Sequence, residues 1–209
     1  MHIAILTFDG FNELDSIVAL GILNRAQQPG WRVSIASPSP QVTSMNGVVM
    51  ASHISLQEAS LADAIIIGSG IHTREIVASG VLESLHLDPQ RQFIGAQCSG
   101  ALILAQLGFL KDLPVCTDLT TKSWVQALGC DVLNQPFFAR DNIATAGGCL
   151  ASQYLAFWLI ARRAGLEAAE RAMHYVAPVG EKEHYVQRAA HHVRPYLSEG
   201  ALAEFYQYH

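Results

Sequence analysis

The chain has 209 residues, half of them hydrophobic and 15% charged, which is enough for a single domain over residues 1–209 with a well-covered core. Its formal net charge of −5 and the scatter of its basic residues argue against nucleic acid or an anionic membrane as a main partner. Four cysteines without a CxxC pair favour a reducing compartment and argue against a disulfide framework or a zinc site.

The N-terminal segment predicts no leader peptide. Residues 1–9 contain no basic n-region, and their apolar run is too short for a signal peptide. No uncharged apolar stretch of the sequence reaches the ~18 residues that a membrane-spanning helix needs. We therefore expect a cytoplasmic protein without a membrane partner.

Short apolar runs bounded by turn residues predict the strands. Core strands are expected over residues 2–8, 31–36, 64–67 and the first half of 92–108. Shorter extended segments are expected over residues 115–117, 131–133, 137–140 and 143–145. A small hairpin over residues 41–53 should turn at Asn46-Gly47, a strong two-residue turn signal.

Helices are expected between these strands. The first has apolar residues at helical spacing from Leu14 onward and is closed by Pro29-Gly30. The next covers residues 73–86, with Thr73 as its N-cap. Further helices are expected over the second half of 92–108, over 121–128, 150–160 and 166–175, and after Pro178-Val179-Gly180. Strands that alternate with helices predict an α/β fold whose mostly parallel sheet carries helices on both faces.

Cys98 lies where the strand in residues 92–108 changes into a helix, with small Ser99 and Gly100 behind it. Strand, tight turn and helix form a nucleophile elbow, in which the side chain at the turn projects over the carboxyl edge of the sheet. Amides at the start of the helix favour an anion there, so the pattern predicts a thiolate with a lowered pKa. The alternative is a buried structural cysteine.

Three turns should meet at this edge, because sites in open α/β sheets form beyond the carboxyl ends of the strands. They contain Asn12-Glu13-Leu14-Asp15, Ile67-Gly68-Ser69-Gly70 and Ala96-Gln97-Cys98-Ser99-Gly100-Ala101. With Thr145-Ala146-Gly147-Gly148 and Tyr175-Val176-Ala177-Pro178, they resemble the ThiJ/PfpI superfamily over essentially the whole chain, and its isonitrile hydratase-like branch most. The resemblance implies a flavodoxin-like three-layer sandwich related to class I glutamine amidotransferases, a homodimer, and no metal or organic cofactor.

The resemblance also implies roles for individual residues. Cys98 would be the nucleophile, and Asp15 a protonated carboxyl that hydrogen-bonds the sulfur and acts as general acid, with Glu13 as its nearest competitor. The amides of Gly70 and Ser99 would form an anion pocket. Ser69 and Asp118 would line that pocket as well. His72, two residues after the glycine turn, would either line the pocket or be a solvated loop histidine. Spacing alone favours the alternative that Asp15 is an exposed acid in the first turn of its helix.

Several positions depart from the family pattern. Ser99 stands where peptidase-like members carry His, which argues against a protease. Asp118 stands where many members place a His near the thiol, Gly68-Ser69-Gly70 replaces the usual Pro-Gly-Gly turn, and Val18-Ala19 replaces a common Gly-Pro. The substrate pocket is therefore expected to differ from those of relatives. The remaining cysteines are interpreted as structural: Cys116, Cys130 and Cys149.

These observations predict a cysteine-dependent enzyme that acts on a small molecule. Isonitrile hydration, with Cys98 as nucleophile and Asp15 as general acid, is the first hypothesis. Glyoxalase or deglycase chemistry on α-oxoaldehydes is the second. A redox sensor, in which Cys98 oxidises to a sulfinate stabilised by Asp15, is a third. A ligand-sensing module like those of AraC-type regulators is a fourth.

Overall fold

The structure, a computed structural model, describes residues 1–197. Its strands are β1 (His2–Leu6), β2 (Arg32–Ala36), β3 (Gln41–Thr43), β4 (Val49–Ala51), β5 (Ala64–Ile67), β6 (Phe93–Gln97), β7 (Phe137–Arg140) and β8 (Ile143–Ala146). Its α-helices are α1 (Glu13–Leu23), α2 (Leu56–Ala59), α3 (Thr73–Ala78), α4 (Gly100–Gln106), α5 (Lys122–Ala127), α6 (Ser152–Ala164), α7 (Leu166–Val176) and α8 (Lys182–Val193).

Six strands form one sheet in the order β2-β1-β5-β6-β8-β7. All neighbours pair in parallel except β7 and β8, which are antiparallel. β3 and β4 form a separate hairpin, as the Asn46-Gly47 turn predicted. Because β1, β5 and β6 end side by side in register, the loops that follow them meet at one edge of the sheet.

Alternate side chains of the central strands point to opposite faces, and each face carries its own helices. Ile3 and Ile5 pack in a core with α1 and with Trp158 of α6, whereas Ala4 and Leu6 pack in a second core with α2 and α4. The predicted α/β sandwich with helices on both faces is confirmed. No helix within residues 1–197 is long and apolar enough to cross a membrane.

Three local predictions were wrong. The helix expected over residues 73–86 breaks at Gly80, whose φ of +76° leads into a short 3-10 helix over Val81–Ser84. His72, not Thr73, is the N-cap of α3, and it makes no side-chain cap bond. The strand expected over residues 115–117 reduces to one isolated bridge, from Val115 to Val132 in the extended segment predicted over residues 131–133.

Candidate active site

The turn at Cys98 has the elbow geometry that the sequence predicted. Cys98 lies between the end of β6 and the start of α4 with a φ of +46°, a left-handed conformation that a non-glycine residue rarely adopts. Its amide donates to Ala146 O at 2.9 Å, which ties the turn to the end of β8. A Cβ at Gly100 would lie 2.5 Å from Ile67 O, so only glycine fits behind the cysteine. Close packing therefore holds a strained backbone in place.

The Cys98 side chain lines a cavity of about 450 Å³ at the carboxyl edge of the sheet. Its apolar wall consists of Met45, Ile71 and Trp124. The polar residues of the lining are Asn12, Ser69, Ser99, Asp118, Thr120 and Thr121. None of the described side chains that line this cavity is cationic, so the cavity favours a neutral ligand over an anionic one.

Asp15, in the first turn of α1, is buried beside this cavity. Its carboxyl is 1% exposed and accepts hydrogen bonds from the Ser69 hydroxyl and, at 3.3 Å, from the Ser16 hydroxyl. Burial raises the pKa of Asp15 to about 6, against the opposing effect of these hydrogen bonds. The alternative of an exposed first-turn acid is therefore wrong. Ser69 also lines the cavity, so the residue that hydrogen-bonds Asp15 separates the buried carboxyl from that space.

The ionisation of Cys98 is opposite to the sequence prediction. Burial raises the pKa of its thiol, and the negative charge of Asp15 raises it further. A hydrogen bond from Gln97 Nε2 to the sulfur at 3.4 Å opposes this shift only in part. No hydrogen bond joins Asp15 to Cys98 within residues 1–197. At neutral pH the negative charge therefore resides on the Asp15 carboxylate, and Cys98 rests as the thiol.

The amide of Gly70, expected to face an anion, is already engaged. It donates to the Ser99 hydroxyl at 3.1 Å, and that hydroxyl also bonds Thr73 Oγ1 at 2.7 Å. Thr73 Oγ1 in turn donates to Gly70 O at 2.8 Å. These bonds fix the glycine turn against the elbow, so the Gly70 amide is not open to an anion.

The other sequence candidates fall into two groups. Asp118 lines the cavity, but its Oδ1 accepts from the amides of Thr120 and Thr121, both at 2.9 Å, so it orders the loop before α5. His72 is exposed and packs against Gly10, outside the cavity lining. Glu13 accepts from Ser44 Oγ at 3.0 Å and is also outside the lining, so Asp15 is the acid that the fold couples to the site.

Sequence reasoning missed Asn12 and Cys149. Both line the cavity, and Asn12 Nδ2 donates to Cys149 Sγ at 3.1 Å. Cys149 was interpreted as structural because it has no CxxC partner. Cys149 follows the end of β8, and β8 pairs in parallel with β6, so both cysteines lie at the same edge of the sheet. That position after a strand was the signal that could have identified Cys149.

Two further features of the structure bear on function. Among residues 1–197, no group of three or more His, Cys, Asp or Glu side chains could hold a metal ion. A larger cavity of about 1170 Å³ lies between α7 and α8, lined by groups such as Glu167, Glu170 and Glu183. The described residues around it include no cysteine or serine.

The comparisons with known proteins agree with this geometry. The family model described as DJ-1/PfpI matches residues 1–162. A ThiJ/PfpI family protein from Pseudomonas syringae is 18% identical, with a TM-score of 0.74 over 92% of this chain and 87% of that one. Schizosaccharomyces pombe DJ-1 is 17% identical, with a TM-score of 0.62 over 90% of this chain and 98% of that one.

An AraC family transcriptional regulator from Pseudomonas putida is 14% identical, with a TM-score of 0.69 over 84% of this chain and 99% of that one. No curated protein sequence matches the chain significantly. At these identities the solved structures share the fold with this chain, and they carry no information about its substrate.

Proposed function

Because this chain belongs to the DJ-1/PfpI family, we propose that it is a cysteine-dependent enzyme that adds water to a small electrophilic carbon, and that its substrates are isonitriles. One observation carries the proposal: Cys98 and Ser69 line the same cavity, and Ser69 hydrogen-bonds the buried Asp15. A nucleophile is thereby coupled to an acid–base group through one hydroxyl.

The cavity suits a neutral, partly apolar substrate. Its volume of about 450 Å³ accommodates a small organic molecule, and Trp124, Ile71 and Met45 offer apolar surface for a hydrocarbon group. The carboxylates of Asp118 and Asp15 would repel an anionic ligand. An isonitrile, R–N≡C, is neutral and carries its electrophilic carbon at one end.

In the first step, the Cys98 sulfur attacks the terminal carbon of the isonitrile. Because its pKa is raised, Cys98 begins the reaction as the protonated thiol and must lose that proton. The proton passes through the Ser69 hydroxyl to the Asp15 carboxylate. Asp15 then returns the proton to the same carbon. The product is a thioimidate, R–N=CH–S, attached to Cys98. One proton thus leaves sulfur and arrives on carbon, with Asp15 as its temporary acceptor.

In the second step, water adds to the thioimidate carbon. Asp15 takes a proton from the water through Ser69, and the nitrogen gains one as the C=N bond opens. The tetrahedral carbon then releases the Cys98 sulfur, which recovers a proton, and the product leaves as the formamide R–NH–CHO. The balance is one isonitrile and one water for one formamide.

Formamide production from cyclohexyl isocyanide tests this proposal directly. We expect the wild-type protein to form N-cyclohexylformamide, with kcat/KM rising as the pH increases through about 6, where Asp15 becomes the carboxylate that the first step needs. In Asp15→Asn we expect a loss on the order of 100-fold and no rise near pH 6, because an amide cannot accept the proton.

Methylglyoxal provides the contrasting measurement. If the protein forms lactate from methylglyoxal and no formamide from isocyanides, the proposal of isonitrile hydration is wrong and the glyoxalase alternative is supported. An Asp15→Asn protein with unchanged kcat/KM would show that the carboxyl takes no part in the proton transfer.

A further inference from the structure

We propose that Cys98 and Cys149 form a reversible thiol–disulfide pair, in which Cys98 reduces a hydroperoxide and Cys149 resolves the oxidised sulfur. The two side chains come from segments that are far apart in sequence, yet both line the cavity of about 450 Å³. Both are free thiols in this structure. The pair concerns the same sulfur as the proposed hydration but does not depend on that reaction.

The backbone on either side brings the two cysteines together. β6 pairs with β8 so that Gln97, next to Cys98, lies opposite Ala146. Gln97 Nε2 lies 3.4 Å from Cys98 Sγ and 2.8 Å from Gly148 O, so one amide nitrogen bridges the elbow sulfur and the residue before Cys149. The electrostatic interaction between Cys149 and Cys98 also raises the pKa of Cys98, so the two side chains lie near each other.

The segment that carries Cys149 has room to adjust. Gly148 has a φ of +94°, and a Cβ at this position would meet no atom within 4 Å. A disulfide needs its two Cα atoms about 5.5 Å apart, and a glycine before Cys149 gives the backbone more conformational freedom to reach that separation than any other residue would.

The two thiols differ in their exposure to solvent. Cys98 is 4% exposed, whereas Cys149 is half-buried and more open to an external reductant. Asn12 Nδ2 donates to Cys149 Sγ at 3.1 Å, which holds that sulfur at the cavity wall. A hydroperoxide is small enough to enter this space and reach Cys98.

The chemistry balances in two steps. Cys98 sulfur takes the distal oxygen of the hydroperoxide, the O–O bond breaks, and the thiol proton joins the departing oxygen as water or an alcohol. Cys98 is thereby oxidised by two electrons to the sulfenic acid. Cys149 sulfur then attacks the sulfenic sulfur, the S–O bond breaks, and the hydroxyl leaves as water with the Cys149 proton. An external thiol reduces the resulting disulfide.

This pair also changes the expected oxidation product. Without a neighbouring thiol, excess peroxide carries a sulfenic acid on to the sulfinic acid, which external thiols do not reduce. With Cys149 in the same cavity, formation of the disulfide competes with oxidation to the sulfinic acid. Cys98 is thereby kept in a form that external thiols can reduce.

Peptide mapping after peroxide treatment tests the inference. Trypsin places each cysteine on its own peptide, namely residues 92–111 for Cys98, 112–122 for Cys116, 123–140 for Cys130 and 141–162 for Cys149. The full chain is treated with a molar excess of hydrogen peroxide, blocked with an alkylating agent and analysed without reductant. We expect the peptides 92–111 and 141–162 to be joined, with the loss of two hydrogen atoms, and to separate with dithiothreitol.

Variants distinguish the pair from a lone reactive thiol. In Cys149→Ser we expect Cys98 to gain two oxygen atoms instead, in a form that dithiothreitol does not reverse. In Cys130→Ser, which changes a half-buried thiol outside the cavity lining, we expect the linked peptides to form as in the wild type. Sulfinic acid at Cys98 of the wild type with Cys149 still free, or no oxidation of Cys98 at all, would overturn the inference.

The measurement contains no isonitrile, so its outcome is separate from that of the proposed hydration. Formamide production without a peroxide-induced disulfide would support the proposed hydratase activity and contradict the redox pair. A disulfide between Cys98 and Cys149 without formamide production would support the redox pair and contradict the proposed hydratase activity.

Discussion

Two buried thiols lie near the same edge of the sheet, and they differ in their surroundings. The elbow region, residues 96–101, holds Cys98, and the Cys116 loop, residues 115–117, follows α4. Burial raises the pKa of both thiols, that of Cys116 to about 12. Cys116 is fully buried and its amide donates to Thr145 Oγ1 at 2.9 Å, whereas Cys98 faces a cavity from a strained backbone.

The comparison shows that burial of a cysteine does not by itself indicate its role. Both thiols are protonated at rest for the same physical reason, the cost of an anion away from water. Only the elbow region adds a cavity, a connected carboxyl and a second thiol. These three additions, and not a lowered pKa, distinguish a candidate nucleophile from a structural cysteine in this fold.

Replacement of each thiol by alanine gives the largest expected contrast. We expect Cys98→Ala to lower formamide production on the order of 1000-fold or more, because no other sulfur takes its place at the elbow. Cys116→Ala should keep activity within a few-fold and cost about 1–2 kcal/mol of unfolding free energy, as for a small core truncation. Steady-state kinetics and urea unfolding of both variants measure this contrast. Similar losses of activity in the two variants would contradict the assignment of Cys98 as the nucleophile.

The close packing behind the elbow predicts the second effect. A methyl group at Gly100 would press on the carbonyl oxygens of Ile67 and Gly68, so we expect Gly100→Ala to lower the free energy of unfolding by about 3 kcal/mol. Gly21 of α1 is the matched control, because a methyl group there would meet no atom within 4 Å. Gly21→Ala should stabilise by about 0.5–1 kcal/mol, since alanine favours a helix. Equal effects in urea unfolding would contradict close packing at the elbow.

The buried acid predicts a third effect, on stability against pH. The pKa of Asp15 is raised from 3.8 to about 6, so the folded protein holds its proton more tightly than the unfolded chain does. Stability from this group is complete below about pH 4 and is lost as the pH rises through about 6. Asp15→Asn keeps an acceptor for Ser69 and removes the charge, so we expect a gain of about 1–3 kcal/mol at pH 7.5 that vanishes near pH 4.

Urea unfolding at the two pH values measures this gain. Glu13→Gln is the control in the same helical turn, because hydrogen bonding lowers the pKa of Glu13 and its removal should bring no gain at pH 7.5. If Asp15→Asn is less stable than the wild type at pH 7.5, the Asp15 carboxylate stabilises the fold and the expected gain is wrong.

The smallest expected effect concerns the hydroxyl between Asp15 and the cavity. We expect Ser69→Ala to reduce formamide production about tenfold, since water would have to replace the hydroxyl as the proton path. Ser16 also donates to Asp15, but it does not line the cavity. Ser16→Ala should therefore cause a smaller loss of kcat than Ser69→Ala. A larger loss in Ser16→Ala would place the proton path away from Ser69.

Local sequence signals predicted the strands and the elbow well, and they failed where long-range contacts decide the structure. The strand over residues 64–67 has the predicted bounds, because a four-residue buried run with a glycine after it has few alternatives. The predicted strand over 115–117 finds only an isolated bridge, since its neighbours in space follow from the packing of other segments. Thr73 was expected to cap its helix, yet its hydroxyl bonds Ser99 on another turn.

The sequence by itself determined the α/β order, the position of the elbow cysteine and the glycines that allow it. These features depend on residues that are adjacent in the chain, where propensity and sterics act directly. Only the tertiary structure decided that Ser69 would reach Asp15, 54 residues away, and that Cys149 would line the same cavity as Cys98. It also decided the protonation of Asp15 and Cys98, because a pKa depends on desolvation and neighbouring charges, which exist only after distant segments have packed together.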